Sequence, residues 1–313
     1  MKRLSFVVAA TALLLVGFVI ATWAPDRPVA ELAVRWAPAP SRFIEVEGMQ
    51  VHLRDEGVRE DPSPIVLLHG TSSSLHTWDG WVAALAGERR VIRVDLPGFG
   101  LTGPTPDGVY TIAIYVRFMR ALLDHLGVDR CVLAGNSFGG QIAWETALAL
   151  SPSRVAGPVL VDAAGYPLES ESVPVAFRIA QVPVLRDLMQ VTLPRGMIES
   201  SLRNVYGDAS KVTRGLVDRY FDMTVREGNR EALVQRFQQA PHGPGFERIR
   251  ELRVPTLILW GELDRLIPRT HAELFHRDVA GSRLVVFPGL GHTPHEEDPA
   301  VTARAVKEFL GTI

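Results

Sequence analysis

The chain has 313 residues, 47% of them hydrophobic and 22% charged, a balance that excludes a disordered or low-complexity protein and suits one large domain or two small ones. Thirty-three basic against 35 acidic residues leave a formal charge of −2, which gives no electrostatic footprint for nucleic acid. The single cysteine, Cys131, excludes an internal disulfide and a thiolate zinc cage.

Lys2 and Arg3 precede an uncharged, almost wholly apolar run over 4–24. A bilayer core takes about 20 apolar residues in a helix, whereas the apolar region of a signal peptide spans about 7–15. The run therefore predicts a transmembrane signal-anchor over 1–24, with Trp23 at the interface. Lys2 and Arg3 would keep the amino terminus in the cytoplasm and the remainder outside it. Cleavage after Val19-Ile20-Ala21, giving a secreted or periplasmic product, is the alternative. Residues 25–40, with Pro25, Pro28, Pro38 and Pro40, read as a proline-rich stalk that has room for a short helix over 29–36.

From Ser41 the pattern changes. Residues 42–47 and 49–55 alternate apolar and polar around Gly48 and predict an antiparallel hairpin. Short continuous apolar runs follow at 65–68, 91–94, 131–134, 159–161, 256–260 and 284–287, as expected of strands buried on both faces of a parallel sheet. Helical periodicity falls between them, at 78–85, 112–126, 139–150, 271–276 and 301–310. The alternation predicts an α/β fold with a mostly parallel central sheet flanked by helices. Between Asp162 and Thr256 the connection is far longer than a crossover needs. It reads as helices over 174–190, 194–205, 211–227 and 230–239, with Ser210 as an N-cap and Gly207 and Gly228 as stops. The expected organisation is thus a core over 41–165 and 247–313 with a helical cap over 166–246.

Gly135-Asn136-Ser137-Phe138-Gly139 sets a G-x-S-x-G pattern between an apolar strand and a helix, a tight turn that projects the serine hydroxyl at the carboxyl edge of the sheet. A serine hydroxyl needs an adjacent base, and the base an orienting acid. Asp264 follows the 256–260 strand and His292 the 284–287 strand, so all three lie just past strand ends in the chain order serine, acid, histidine. Glu262 and Asp162 are rival acids, and His295 is a rival base that instead reads as a brace for the loop. The oxyanion takes two backbone N–H donors, assigned to Phe138 after the nucleophile and to Thr71 in the loop after the 65–68 strand. Cys131 lies on a strand and reads as a small core residue. Trp78 and Trp81 anchor a helix under the oxyanion loop. No metal-ligand spacing, phosphate loop or dinucleotide fingerprint is present.

The segments LLHGTSSSLHTW, VIRVDLPGFGLTG, VLAGNSFGG, VLVDAAG, LILWGELDRLIP and GLGHTPHEEDP stand in this order between Phe43 and Leu310. On them the chain resembles the α/β-hydrolase superfamily. The resemblance implies a triad of Ser137, Asp264 and His292, an oxyanion hole at Thr71 and Phe138, a helical cap, and a loop organised by Asp95. Ser137 excludes the aspartate-nucleophile mechanism of haloalkane dehalogenases and epoxide hydrolases. The loop after His69-Gly70 is TSSS, where ring-cleavage hydrolases often carry glycines. The expected activity is cofactor-free hydrolysis of a small, apolar carboxylic ester through an acyl-enzyme, with carbon–carbon or amide hydrolysis as the second reading and a non-catalytic ligand-binding module as the third. Phe177, Met189, Met197, Tyr220, Phe221 and Phe237 are candidate pocket residues in the cap.

Overall fold

Glu47 and Gly48 both take positive φ, 52° and 76°, the two-residue turn whose twist matches that of a hairpin. They join β1 (Arg42–Val46) to β2 (Met49–Gly57). The structure, a computed structural model, describes residues 13, 16–168, 170–180, 182, 189–239, 243 and 245–313. Beyond the hairpin the strands are β3 (Ile65–Leu68), β4 (Arg90–Val94), β5 (Cys131–Asn136), β6 (Val155–Val161), β7 (Leu257–Gly261) and β8 (Arg283–Phe287). They form one sheet in the order β1-β2-β4-β3-β5-β6-β7-β8. β2 pairs antiparallel with β1 and β4, and the pairings from β4 to β8 are parallel.

The central runs are apolar throughout because they serve two cores. Val66, Leu68 and Leu133 point into a cluster closed by the helices Ile112–His125 and Phe138–Leu150. Ile65, Leu67, Val132 and Ala134 point to the other face, under Asp79–Leu85 and Pro299–Leu310. Trp81 is buried there and donates Nε1–H to Thr302 Oγ1 at 2.9 Å. Parallel pairing puts the carboxyl ends of β3, β5, β6, β7 and β8 along one edge, where the site is built.

The helices Val175–Ala180, Arg195–Val205, Arg214–Thr224 and Asn229–Gln239 lie between β6 and β7. They have a core of their own around Leu193, Ile198, Leu202, Tyr206, Val217 and Val225. The first is shorter than the expected 174–190, whose stretch over 183–188 falls outside the described residues. The Arg214–Thr224 helix is capped by Thr213, whose Oγ1 accepts from Leu216 N at 3.2 Å, rather than by the expected Ser210. Ser210 N instead donates to Asp208.

The amino-terminal reading is corrected. No helix among the described residues is long and apolar enough to cross a membrane. Most of the expected 4–24 span lies outside the described residues. Its described end leads into the protein: Leu193 N donates to Thr22 O at 2.9 Å, Ala24 N donates to Val191 O at 2.9 Å, and Ala24 is buried in the helical core. Those backbone groups are satisfied by the cap rather than arranged for a bilayer crossing. The single-pass placement outside the cytoplasm therefore falls, along with the transmembrane helix that was to precede the fold.

The proline-rich segment also packs. Asp26 pairs with Arg230, Arg27 Nη1 with Asp222 at 2.9 Å, and Arg27 N donates to Val225 O at 2.7 Å. The helix Val29–Trp36 follows, with Leu32 only 1% exposed against Leu101 of the core and Met223 of the cap. Trp36 Nε1 donates to Asp222 Oδ2 at 2.9 Å. Leu32 therefore joins three parts of the chain. Leu32→Ala should lower the unfolding free energy by about 2–5 kcal/mol, as a buried leucine truncation does. The urea midpoint checks this, and an unchanged midpoint would mean that the segment is not docked.

Candidate active site

Ser137 occupies the single position between β5 and the Phe138–Leu150 helix, with φ 54° and ψ −117°. A non-glycine residue held there stores roughly 1–3 kcal/mol of strain. The neighbours enforce it. Ser137 N donates to Val161 O at 3.0 Å, and Ser137 O accepts from Ala164 N at 2.9 Å. The helix comes so close to β3 that a Cβ on Gly139 would sit 2.2 Å from Leu68 O. The loop after β3 approaches from the other side: a Cβ on Gly70 would lie 3.1 Å from Ser137 Cβ.

That loop is fixed from beneath. His69 accepts from Leu96 N at Nε2 (3.0 Å), which leaves Nδ1–H to donate to Gly70 O at 2.7 Å. Burial pulls the His69 pKa down and keeps the ring neutral. Asp95 accepts from Leu75 N and Leu101 N, both at 2.7 Å, and pairs with His52 Nδ1 at 2.7 Å. It thus organises the loops at the ends of β3 and β4. The Thr71 and Phe138 backbone N–H groups have no hydrogen-bond partner among the described residues, and Phe138 is the first residue of its helix, where an N–H has no intrahelical acceptor.

Asp264 and His292 are brought together. His292 Nδ1 lies 2.6 Å from Asp264 Oδ2. Asp264 Oδ1 accepts from Leu266 N at 2.8 Å and Ile267 N at 3.0 Å, so the carboxylate is held by its own loop while its free edge orients the imidazole. Glu262 is exposed and, among the described residues, accepts from Gly289 N alone, at 3.3 Å. Asp162 is buried at the end of β6, and one side-chain atom each of Asp162, Asp264 and His292 lies within 4.8 Å of the others. These three could offer ligands to a cation, but the 2.6 Å separation of His292 from Asp264 is that of a shared proton, shorter than two ligands at about 2.0–2.2 Å from one tetrahedral zinc would allow. His295 lies away from the cleft, 3.0 Å from Thr77 Oγ1, with its ring 4.1 Å from that of Trp78. Burial pushes the Cys131 thiol up to about 12, which suits an inert core residue.

Sequence reasoning does not single out the groups that tie these loops to one another. Asn136 Nδ2 donates to His292 O at 2.9 Å and to Val161 O at 3.2 Å. His292 N donates to Val205 O of the cap at 2.7 Å. Glu297 accepts from Gly291 N at 2.7 Å through Oε1, and from Gly207 N at 2.9 Å and Asp208 N at 3.1 Å through Oε2. Glu296 is held by Arg219 and by Tyr220 Oη, which also meets Ser73 Oγ at 3.1 Å. Asn136 within GNS and the acids of HEED were the available signals, but their partners are remote in sequence. Arg236, fully buried, lays its guanidinium 3.9 Å from the centre of the Phe138 ring.

A cavity of about 670 Å³ opens between core and cap. Ser137, His292 and Thr71 line it, together with Phe177, Met189 and Phe237 of the cap. Tyr220 also faces it, whereas Met197 and Phe221 pack against the cap's own core instead.

Because Glu297 satisfies three backbone donors on both sides of the histidine loop, Glu297→Ala should lower stability by on the order of 3 kcal/mol and loosen the cap. Calorimetry and amide exchange of Val205, Gly207 and Gly291 would report this. Wild-type stability and protection would remove the clamp from the account.

The matches to other proteins follow the same frame. The chain is 30% identical to the 2-hydroxy-6-oxo-2,4-heptadienoate hydrolase of Pseudomonas putida over 282 residues, 86% of this chain and 95% of that one. A meta-cleavage product hydrolase from Pseudomonas fluorescens superposes with a TM-score of 0.75 at 25% identity, covering 88% of this chain and 98% of the other. A thermophilic esterase from Thermogutta terrifontis superposes with a TM-score of 0.71 at 25% identity, covering 88% and 99%. Residues 63–299 match the alpha/beta hydrolase fold family, and the chain is a hydrolase belonging to that family.

Proposed function

We propose that the protein is a serine hydrolase that cleaves a small, apolar carboxylic ester through an acyl-enzyme. The observation that carries the reading is the 2.6 Å contact of His292 Nδ1 with Asp264 in a cleft that Ser137 also lines. With Nδ1 committed to the acid, Nε2 is the nitrogen left to take the Ser137 proton. As Ser137 Oγ bonds to the ester carbonyl carbon, the carbonyl electron pair moves onto oxygen, and the Phe138 and Thr71 N–H groups receive it. Collapse expels the alcohol, protonated by His292. Water, deprotonated by His292, then releases the acid by the same route.

Relatives include hydrolases named for a heptadienoate and for meta-cleavage products as well as esterases, so carbon–carbon hydrolysis is the second reading. A dienoate brings a carboxylate that needs a cation in the cleft. Arg230 is the guanidinium among the described lining residues. It is already paired with Asp26 and donates Nη1 to Met189 O at 2.8 Å. A neutral ester suits the apolar remainder of the lining better.

A hydrolysis screen of p-nitrophenyl esters across acyl lengths should show turnover. Ser137→Ala and His292→Ala should each lower it about 10³-fold or more with the fold intact. Near-wild-type hydrolysis by either variant would end the triad proposal. Turnover of a dienoate ring-cleavage product in preference to every ester would replace the ester reading.

A further inference from the structure

Asp162 has an environment that ordinary packing does not require. It follows β6 directly, takes φ 45°, and is fully buried. Its backbone N–H donates to Leu259 O at 2.9 Å. Its Oδ1 accepts from Gly261 N at 2.9 Å, at the entrance to the loop that carries Asp264. Its Oδ2 is buried with no hydrogen-bond partner among the described residues, and one side-chain atom each of Asp162, Asp264 and His292 lies within 4.8 Å of the others.

Two carboxyl groups this close and this buried do not both ionise. The hydrogen bonds say which keeps its charge. Asp264 accepts from Leu266 N, Ile267 N and His292 Nδ1, all of which favour the carboxylate. Asp162 accepts from one backbone N–H and has a bare second oxygen. Burial, then the neighbouring Asp264 charge, push the Asp162 carboxyl well above the usual carboxylate range, and Glu297 adds in the same direction. The titratable groups facing it are Asp264 from the loop after β7, His292 from the loop after β8, and Glu297 from the helix that follows.

We propose that Asp162 is a positioning residue: a neutral carboxylic acid that donates its Oδ2–H to Asp264 and thereby sets how strongly Asp264 holds His292. This rests on the hydrolase reading above. The donor withdraws part of the Asp264 negative charge, so the imidazolium formed during attack on the ester is stabilised less than it would be by a bare carboxylate. The donor also fixes the face that Asp264 presents to Nδ1. No proton leaves Asp162 during turnover.

The test compares Asp162→Asn, Asp162→Ala and Asp264→Asn. An asparagine amide keeps the donor to Asp264 and the acceptor for Gly261 N, and asparagine tolerates positive φ. D162N should therefore rescue turnover to within about threefold of wild type, with the acid limb of kcat/KM in place. D162A leaves Asp264 without the partner that fixes its face toward Nδ1, and that misplacement should cost about 10- to 100-fold in kcat. Its acid limb should move up in pH by about one unit, because an unsupported Asp264 charge makes His292 more basic. D264N should lose more than either. Infrared difference spectra of the wild-type enzyme against D162N at neutral pH should show a protonated-carboxyl stretch that D162N lacks, a signature available even if D162A fails to fold. D162N inactive beside an active D264N would make Asp162 the triad acid and overturn the proposal, as would the absence of the protonated-carboxyl band. Activity surviving in Ser137→Ala would instead remove the hydrolase reading, whatever the Asp162 variants do.

Discussion

The backbone at Ser137, held at φ 54° and ψ −117°, is the constraint around which the rest of the molecule is arranged. Left to itself, a serine leaves that conformation. It persists because β5 is gripped by β3 and β6, because the following helix is seated against Leu68 and His69 at Gly139, and because Ser137 N and O are both hydrogen-bonded. The sheet therefore does more than bury apolar surface. Its two cores hold the strands rigid enough for one strained residue to be kept at the carboxyl edge, with its N–H neighbour at the start of a helix.

Around that residue the polar groups form a connected frame rather than three separate side chains. Asn136 reaches from the Ser137 turn to the carbonyl of His292, and Asp162 reaches from β6 to Gly261 at the base of the Asp264 loop. Glu297 reaches from the histidine loop to Gly207 and Asp208 in the cap. The cap is thus coupled to the carboxyl edge of the sheet through backbone hydrogen bonds at Val205 and Gly207 as well as through the cavity wall. The amino-terminal segment is fastened to the cap by Asp26, Arg27 and Leu32. Movement of the cap would have to disturb both attachments.

What could be read in the sequence follows from how local each determinant is. The central strands were legible as apolar runs because both faces are buried, and the hairpin because Gly48 interrupts alternation. The places of Ser137, Asp264 and His292 at strand ends were legible because each follows such a run. The Asp162 environment was only half visible: its place after β6 marked it as a rival acid, but that it shares a buried pocket with Asp264 depends on strand order. Asn136 and Glu297 carried little signal, because the backbone groups they bind are up to 156 residues away. The 4–24 run and the proline-rich stretch misled for the same reason. Their composition spoke of bilayer and linker, while the partners that hold Ala24, Arg27 and Leu32 sit on cap elements near Val191, Asp222 and Met223.

If the strained serine is the nucleophile and His292 activates it, a serine-directed probe should report both. The most direct measurement is reaction of the full chain with a fluorophosphonate, followed by mass spectrometry of the modified peptide. One adduct is expected, on Ser137, formed at a rate that collapses in His292→Ala and absent in Ser137→Ala. An adduct on another residue, or labelling of the Ser137→Ala chain at the wild-type rate, would contradict it.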